Sequence, residues 1–141
     1  MLVRLIYVSR AVDASSHDTT ESIVEQSQHH NPANGITGVL CFSGGVYLQA
    51  LEGGRKAVNE LYGHIARDAR HKDIMLLHYE EISERRFAGW TMGRVNLARI
   101  NPTVLLKYFE RSEMDPYQVS GHVSLALLEE LMATASVVGR A

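Results

Sequence analysis

ITGVLCFSGGVYLQALEG, residues 36–53, decides the fold. Two runs rich in β-branched, aromatic and aliphatic residues flank Ser43-Gly44-Gly45, and glycines at that place are hairpin punctuation. The two runs are therefore read as antiparallel neighbours. Val39-Leu40-Cys41-Phe42 is apolar at consecutive positions, which requires cover on both faces of the sheet. One residue of the returning strand resists this reading. Gln49 brings two donors and an acceptor in among Val46, Tyr47, Leu48, Ala50 and Leu51, and its amide needs a partner.

Working outward, LVRLIYVS at 2–9 alternates as a first strand whose one charge, Arg4, falls near its exposed beginning. Ser15 to Asp18 offers capping residues for a helix through Ile23, Val24 and Ser27. That helix ends near His29-His30-Asn31-Pro32, because the residue before a proline is pushed out of the α region. Asn34-Gly35 is a turn. Val58, Leu61, Tyr62 and Ile65 follow the 3.6-residue period of a second helix, which ends around Asp68 to His71. Ile74 to Tyr79 reads as a fourth strand and Trp90 to Leu97 as a fifth.

The resulting order, β-α-β-β-α-β-β, is α+β: the ferredoxin-like βαββαβ arrangement with an added fifth strand. Its first and third strands are expected as central, parallel neighbours. Asn101-Pro102 and Asp115-Pro116 each place a capping residue before a proline at the first helical position, predicting two further helices. The last, containing VSLALLEELMATASVV, carries an apolar stripe through Val123, Leu127, Leu128 and Leu131. With two helices on one face of the sheet, these C-terminal helices are expected to cover the other. Residues 1–97 then form the sheet domain and 98–141 a helical extension packed on it.

Composition narrows the function. The 141 residues carry 14 basic and 16 acidic side chains, a formal charge of −2 with no basic block, so no nucleic-acid partner is expected. The N-terminus MLVRLIYVSR is too short and too charged for a signal peptide or a span, and no other segment is long enough, so no membrane partner is expected. A single cysteine, Cys41, within an apolar run reads as a buried thiol, which fits a reducing cytoplasm. Glu60, His64 and Asp68 recur at helical spacing, but a polar helix face explains them, and no metal site is expected.

Period two places Leu5, Tyr7 and Ser9 on one face of the first strand and Tyr47, Gln49 and Leu51 on one face of the third, so Tyr7 and Gln49 meet. They satisfy one another or they serve a ligand. Asn31 at the end of the first helix, Ser9 at the end of the first strand, and Trp90 with Met92 on one face of the fifth strand add polar groups and apolar walls. Together these describe a slot between two helices and a sheet, suited to a flat heteroaromatic ligand.

At these residues the sequence resembles the BLUF family of flavin-binding blue-light sensors. The matching elements are LIYVS with Tyr7 and Ser9, His30-Asn31, ITG at 36–38, VYLQALEG with Gln49, RDARH at 67–71 and RRFAGWTMG at 85–93. The resemblance covers residues 2 to about 97. It implies that Tyr7 and Gln49 form the photoactive hydrogen-bond network, with Trp90 and Met92 beside the glutamine and Ser9 a minor neighbour. Asn31 would hold the polar edge of the isoalloxazine ring, and Asp68, Arg70 and His71 its pyrimidine side; by their helix and strand positions Ile23, Thr37 and Ile65 are expected as pocket walls. FAD is the cofactor it suggests.

In the mechanism the resemblance implies, blue light moves an electron and a proton from Tyr7 to the flavin and back. The Gln49 amide is then left rearranged, and no net chemistry results. Output is expected to pass through the fifth strand and the C-terminal helices to another protein or to a second copy of the chain. Two other readings stay open on the sequence: a flavin-dependent oxidoreductase, and a colourless ferredoxin-like interaction module.

Overall fold

The computed structural model describes residues 1–12, 22–23, 26–27, 29–95 and 100–134, and the backbone of 137–140. Its strands are β1 (Leu2–Ala11), β2 (Thr37–Ser43), β3 (Val46–Gly54), β4 (His71–Ile82), β5 (Trp90–Val95) and β6 (Val137–Arg140). The helices are α1 (Arg55–Ala66), α2 (Pro102–Tyr108) and α3 (Gly121–Ala133). Residues 22, 23, 26, 27, 29 and 30 are also helical, on the segment expected to form the first helix, whose capping residues Ser15 to Asp18 lie outside the described residues.

The strands form one sheet in the order β4-β1-β3-β2-β5-β6. β1 and β3 are central neighbours as expected, but they run antiparallel, with Tyr7 directly opposite Gln49. The correction follows from connectivity. β3 returns from β2 through a tight hairpin, and an inner strand that pairs antiparallel with β2 is free to run against β1 as well. Gly44 and Gly45 at that hairpin have φ of 57° and 78°, the left-handed region a side chain disfavours.

Alternation along the strands divides the core in two. Ile6, Val8, Val39, Cys41, Leu48 and Ala50 belong to one cluster with Leu125, Leu127, Leu128 and Leu131 of α3, so the C-terminal helices do cover that face. Leu5, Tyr7, Leu40, Tyr47, Leu51 and Met92 belong to the other, with Val58 of α1. α3 lies close on the sheet: a Cβ at Gly121 would fall 2.2 Å from the Leu77 carbonyl oxygen. Cys41 is buried beside Met114, with the sulfurs 3.4 Å apart, and burial pushes its thiol up to about 12. It is not a reactive thiol.

Several boundaries differ from the sequence reading. Asn101 caps α2 by accepting from the Thr103 N–H at 3.0 Å, as expected, but Pro116 opens only a short 3-10 turn, Pro116–Gln118. The long helix starts later, where Ser120 accepts from the Val123 N–H at 3.2 Å. It stops at Ala133, and Val137 and Val138 pair antiparallel with β5 instead of extending it. β-branched residues favour that outcome once an edge is available to receive them. β5 ends at Val95, and Ala98 and Arg99 lie outside the described residues together with Asn96 and Leu97.

Arg4 is not exposed. It is 2 % accessible and sits opposite both Glu52 and Glu80 across neighbouring strands. Its guanidinium lies 2.8 Å from Oε2 of Glu52, itself fully buried, and also binds Glu80. The Glu52 carboxylate further accepts the N–H groups of Arg86 at 3.1 Å and Phe87 at 2.7 Å. A charge in the middle of a β-strand is tolerated because these partners replace the water it gave up. The pairing reaches across three strands, which is why nothing local in the sequence marks it.

Candidate functional site

A cavity of about 510 Å³ opens between the sheet, the first helical segment and α1. Pockets of that order hold cofactor-sized ligands. Its walls include Tyr7 and Gln49 from the central strands, Asn31 and Ile23 from the first helical segment and its end, Ile65 from α1, and Asp68, Arg70 and His71 from the turn into β4. The strand pleat supplies the first pair by parity, and α1 and the first helical segment supply facing apolar walls.

The Tyr7 hydroxyl donates to Oε1 of Gln49, and Nε2 of Gln49 donates to the Met92 sulfur at 3.3 Å. The amide therefore has an acceptor engaged on one side and a donor on a weak sulfur acceptor on the other. Burial, with Tyr62 adding to it, holds the Tyr7 phenol well above an ordinary tyrosine, so it stays protonated and donating. The Tyr7 ring also lies 5.8 Å from that of Tyr62 and 6.2 Å from that of His71.

His71 links three parts of the site. Its Nε2 is 2.5 Å from the Ile65 carbonyl oxygen, which only accepts, so the proton of the neutral ring belongs on Nε2. Nδ1 is then the acceptor for the Ser9 hydroxyl at 2.7 Å. Ser9 is fully buried and supports the cavity wall through His71 without itself lining it.

Asp68 and Arg70 form a closed pair. The Arg70 Nη2 lies 2.5 Å from Oδ2 and its Nε 3.0 Å from both carboxylate oxygens, while its backbone N–H donates to Oδ1 at 2.9 Å. The hydrogen bond from Arg70 holds the Asp68 carboxyl below the usual carboxylate range. A second Arg70 contact reaches Gln26 Oε1 at 3.0 Å and ties the first helical segment to this turn.

Asn31 is 2 % accessible, and its Nδ2 has no hydrogen-bond partner among the described residues. Its backbone is well held: the N–H donates to Ser27 at 2.8 Å, and the carbonyl accepts from Asn34 and Ile36. A buried amide left unpaired costs about 1–3 kcal/mol, so a fixed, unanswered donor on a cavity wall fits a ligand acceptor such as a ring carbonyl. With the Gln49 amide, the Arg70 guanidinium and the rings of Tyr7 and Tyr47 on the same walls, the donor set suits a flavin.

Two expected site residues fall elsewhere. Thr37 shares strand parity with Val39 and Cys41 of the opposite cluster, and its hydroxyl accepts from Arg85 Nη1 at 3.0 Å. Trp90 does not share a face with Met92: it packs against the cluster under the C-terminal helices, whereas Met92 belongs to the cavity-side cluster. The simple alternation fails because the β5 pairing is irregular between Trp90 and Arg94.

Other wall residues escape the sequence reading. Gln26, Ser27 and His30 line the cavity with Ile23, at the i, i+3, i+4, i+7 spacing of one helix face, a signal the sequence does contain. Glu60 and His64 of α1 and Asp68 of the turn after it also line the cavity. Among the described residues no group of three or more His, Cys, Asp and Glu is placed to hold a metal ion.

Fold and site thus define an α+β protein with a cofactor-sized cavity walled by a tyrosine-glutamine pair. The family model described as BLUF, sensors of blue-light using FAD, matches residues 2–93, and the chain belongs to that family. A photoactivated adenylate cyclase subunit beta from Euglena longa is 35 % identical over 92 residues, which are 64 % of this chain and 11 % of that protein. The chain therefore spans about a tenth of that relative. Two solved structures align over nearly the whole chain. The ground state of BlsA has a TM-score of 0.83 at 29 % identity, covering 94 % of this chain and 88 % of its own. The dark state of BlrB, a BLUF protein, has a TM-score of 0.77 at 32 % identity, covering 95 % and 96 %.

Proposed function

We propose that this protein is a blue-light photoreceptor that holds flavin, FAD in the cell, in the cavity between its two helical walls, and signals by rewiring the Gln49 amide. The observation that carries the reading is the bridge from the Tyr7 hydroxyl through Gln49 to the Met92 sulfur, beside the unanswered Nδ2 of Asn31. Bound there, the flavin supplies absorption of blue light and a transient acceptor for an electron and a proton. Tyr7, buried, protonated and hydrogen-bonded to Gln49, is the side chain that would donate to such an acceptor and recover what it gave. Asn31 and Arg70 would hold its polar groups, with Asp68 fixing Arg70 and His71 closing the wall, while Ile23 and Ile65 would help exclude water.

The rearrangement centres on Gln49. An amide has a donor at one end and an acceptor at the other, so reversing it inverts the bonding of its neighbours. The Met92 sulfur is the weaker partner and the one readily given up. Each remade hydrogen bond is worth about 1 kcal/mol, which supports a partial population shift rather than a complete one. Residues 1–97 serve as the sensory domain and 98–141 as its extension, with output through β5 and the C-terminal helices to a partner protein or a second copy. A sensing role needs no further acid-base group. A buried, unreactive Cys41 suits a reducing cytoplasm.

The test is one pair of spectra. Purified with flavin, the protein absorbs in the blue, and illumination shifts the flavin band to the red, reversibly in darkness. A colourless protein, or a flavoprotein whose band light does not move, ends the reading.

A further inference from the structure

The outer edge of β5 is a strand-accepting site. It holds the chain's own β6 in this structure, and we propose that on illumination it accepts the β6 of a second copy, giving a strand-exchanged dimer. The inference rests on the photoreceptor reading above and adds the output to it.

β6 is only 4 residues long. Its register against β5 pairs Trp90 with Arg140, Arg94 with Val138 and Val95 with Val137, and is irregular between Trp90 and Arg94. Met92 lies inside that irregular stretch. The same Met92 accepts the Gln49 amide at 3.3 Å. The photoactive side chain is thus attached to β5 at the place where β6 follows it least regularly. When the amide leaves the sulfur, β5 loses a fixed point beneath the weakest part of the ladder.

Releasing β6 would leave β5 with an unpaired row of N–H and C=O groups, and such an edge takes up another strand. What fits it is already shown by the register of 137–140. A second copy carries the identical segment, so exchange recreates the same ladder without any new surface. In darkness the resident strand wins, because a tethered segment competes at an effective concentration of order millimolar.

The experiment uses the full chain loaded with flavin, in sedimentation velocity in the dark and under blue light. A Val137→Pro, Val138→Pro double variant serves as the partner measurement. Consecutive amides of a strand alternate in direction, so one of the two lost N–H groups must face β5 and the tail no longer pairs. The wild type is expected to be monomeric in the dark and a concentration-dependent dimer in the light. The double variant is expected to stay monomeric in both. It should also bind a fluorescent peptide of residues 134–141 at least about tenfold more tightly than the dark wild type, its own competitor being removed.

A wild type that stays monomeric in the light, or a double variant that dimerises as the wild type does, overturns the inference when the red shift is intact. A monomeric illuminated wild type whose double variant still binds the peptide means that the β5 edge can take this strand but light does not free it, and the strand-exchange assignment falls. Loss of the red shift in the wild type instead strikes the photoreceptor reading on which this one stands.

Discussion

Two buried polar clusters, one on each side of the sheet, are bonded in opposite ways, although the closed side too holds a hydroxyl, that of Ser124, with no partner among the described residues. On the face beneath α3, the fully buried Glu52 carboxylate accepts from Arg4 and from the N–H groups of Arg86 and Phe87, and Arg4 in turn reaches Glu80. On the cavity face, Gln49 divides its amide between a phenol and a sulfur, and Asn31 leaves a donor unanswered. The first arrangement gives one buried carboxylate several donors at once, which ties strands and turn together. The second has bonds to spare and to rearrange, as a site that takes a ligand and then changes needs.

Substitution should separate the two faces. The largest effect is expected from Gln49→Leu, which keeps the flavin but abolishes the light-induced red shift. Spectra before and after illumination check it, and a surviving shift would show that the amide is not the switching element. Tyr7→Phe should block the same photocycle. Glu52→Ala should do the reverse, costing about 3–5 kcal/mol of unfolding free energy because it removes the buried partner of Arg4 and leaves the Arg86 and Phe87 N–H groups unanswered, while the remaining folded protein keeps its red shift. Urea unfolding followed beside the flavin spectrum tests this, and a loss of photochemistry without a loss of stability would erase the contrast between the faces.

A smaller effect is expected from Asn31→Ala. Removing one hydrogen bond to a ring carbonyl costs about 1 kcal/mol, a several-fold weaker flavin affinity by fluorescence titration. The smallest concerns acid. The Asp68 carboxyl is held below its ordinary range by Arg70, so the stability its ionised form contributes is present above the ordinary carboxylate value. It is lost only as pH falls through the depressed value. In the Asp68→Asn variant that part of the acid sensitivity should vanish, read as a flatter stability curve at low pH. An unchanged curve would mean that the pair does not secure the turn into β4.

Cutting the chain after Leu97 probes the comparison from outside. It would strip α3 from Ile6, Val8, Leu48 and Ala50 and expose their face, so the fragment should bind a hydrophobic dye that the whole chain does not. A soluble, stable fragment without dye binding would mean that the closed face does not depend on its cover.

Much of this was legible in the chain because the signals are local. The glycines at 44 and 45 mark the hairpin, period two puts Tyr7 and Gln49 on one face, and Asn101 and Pro102 start a helix. The motifs around them carried the family. Where the reading failed, the deciding contact was distant. Arg4 was read as exposed because its partners lie 48 and 76 residues away. Simple alternation puts Trp90 and Met92 on one face, but the pairing with β6 is irregular there and separates them.

Backbone preference, side-chain period and turn chemistry act over a few residues, so the sequence by itself settled the strands of the hairpin and the meeting of Tyr7 with Gln49. Strand direction, the burial of Arg4 and Glu52, the packing of Trp90 on the α3 side and the use of 137–140 as a strand were decided only in three dimensions. Each depends on the free energy of a partner far along the chain, and no local propensity records whether that partner arrives.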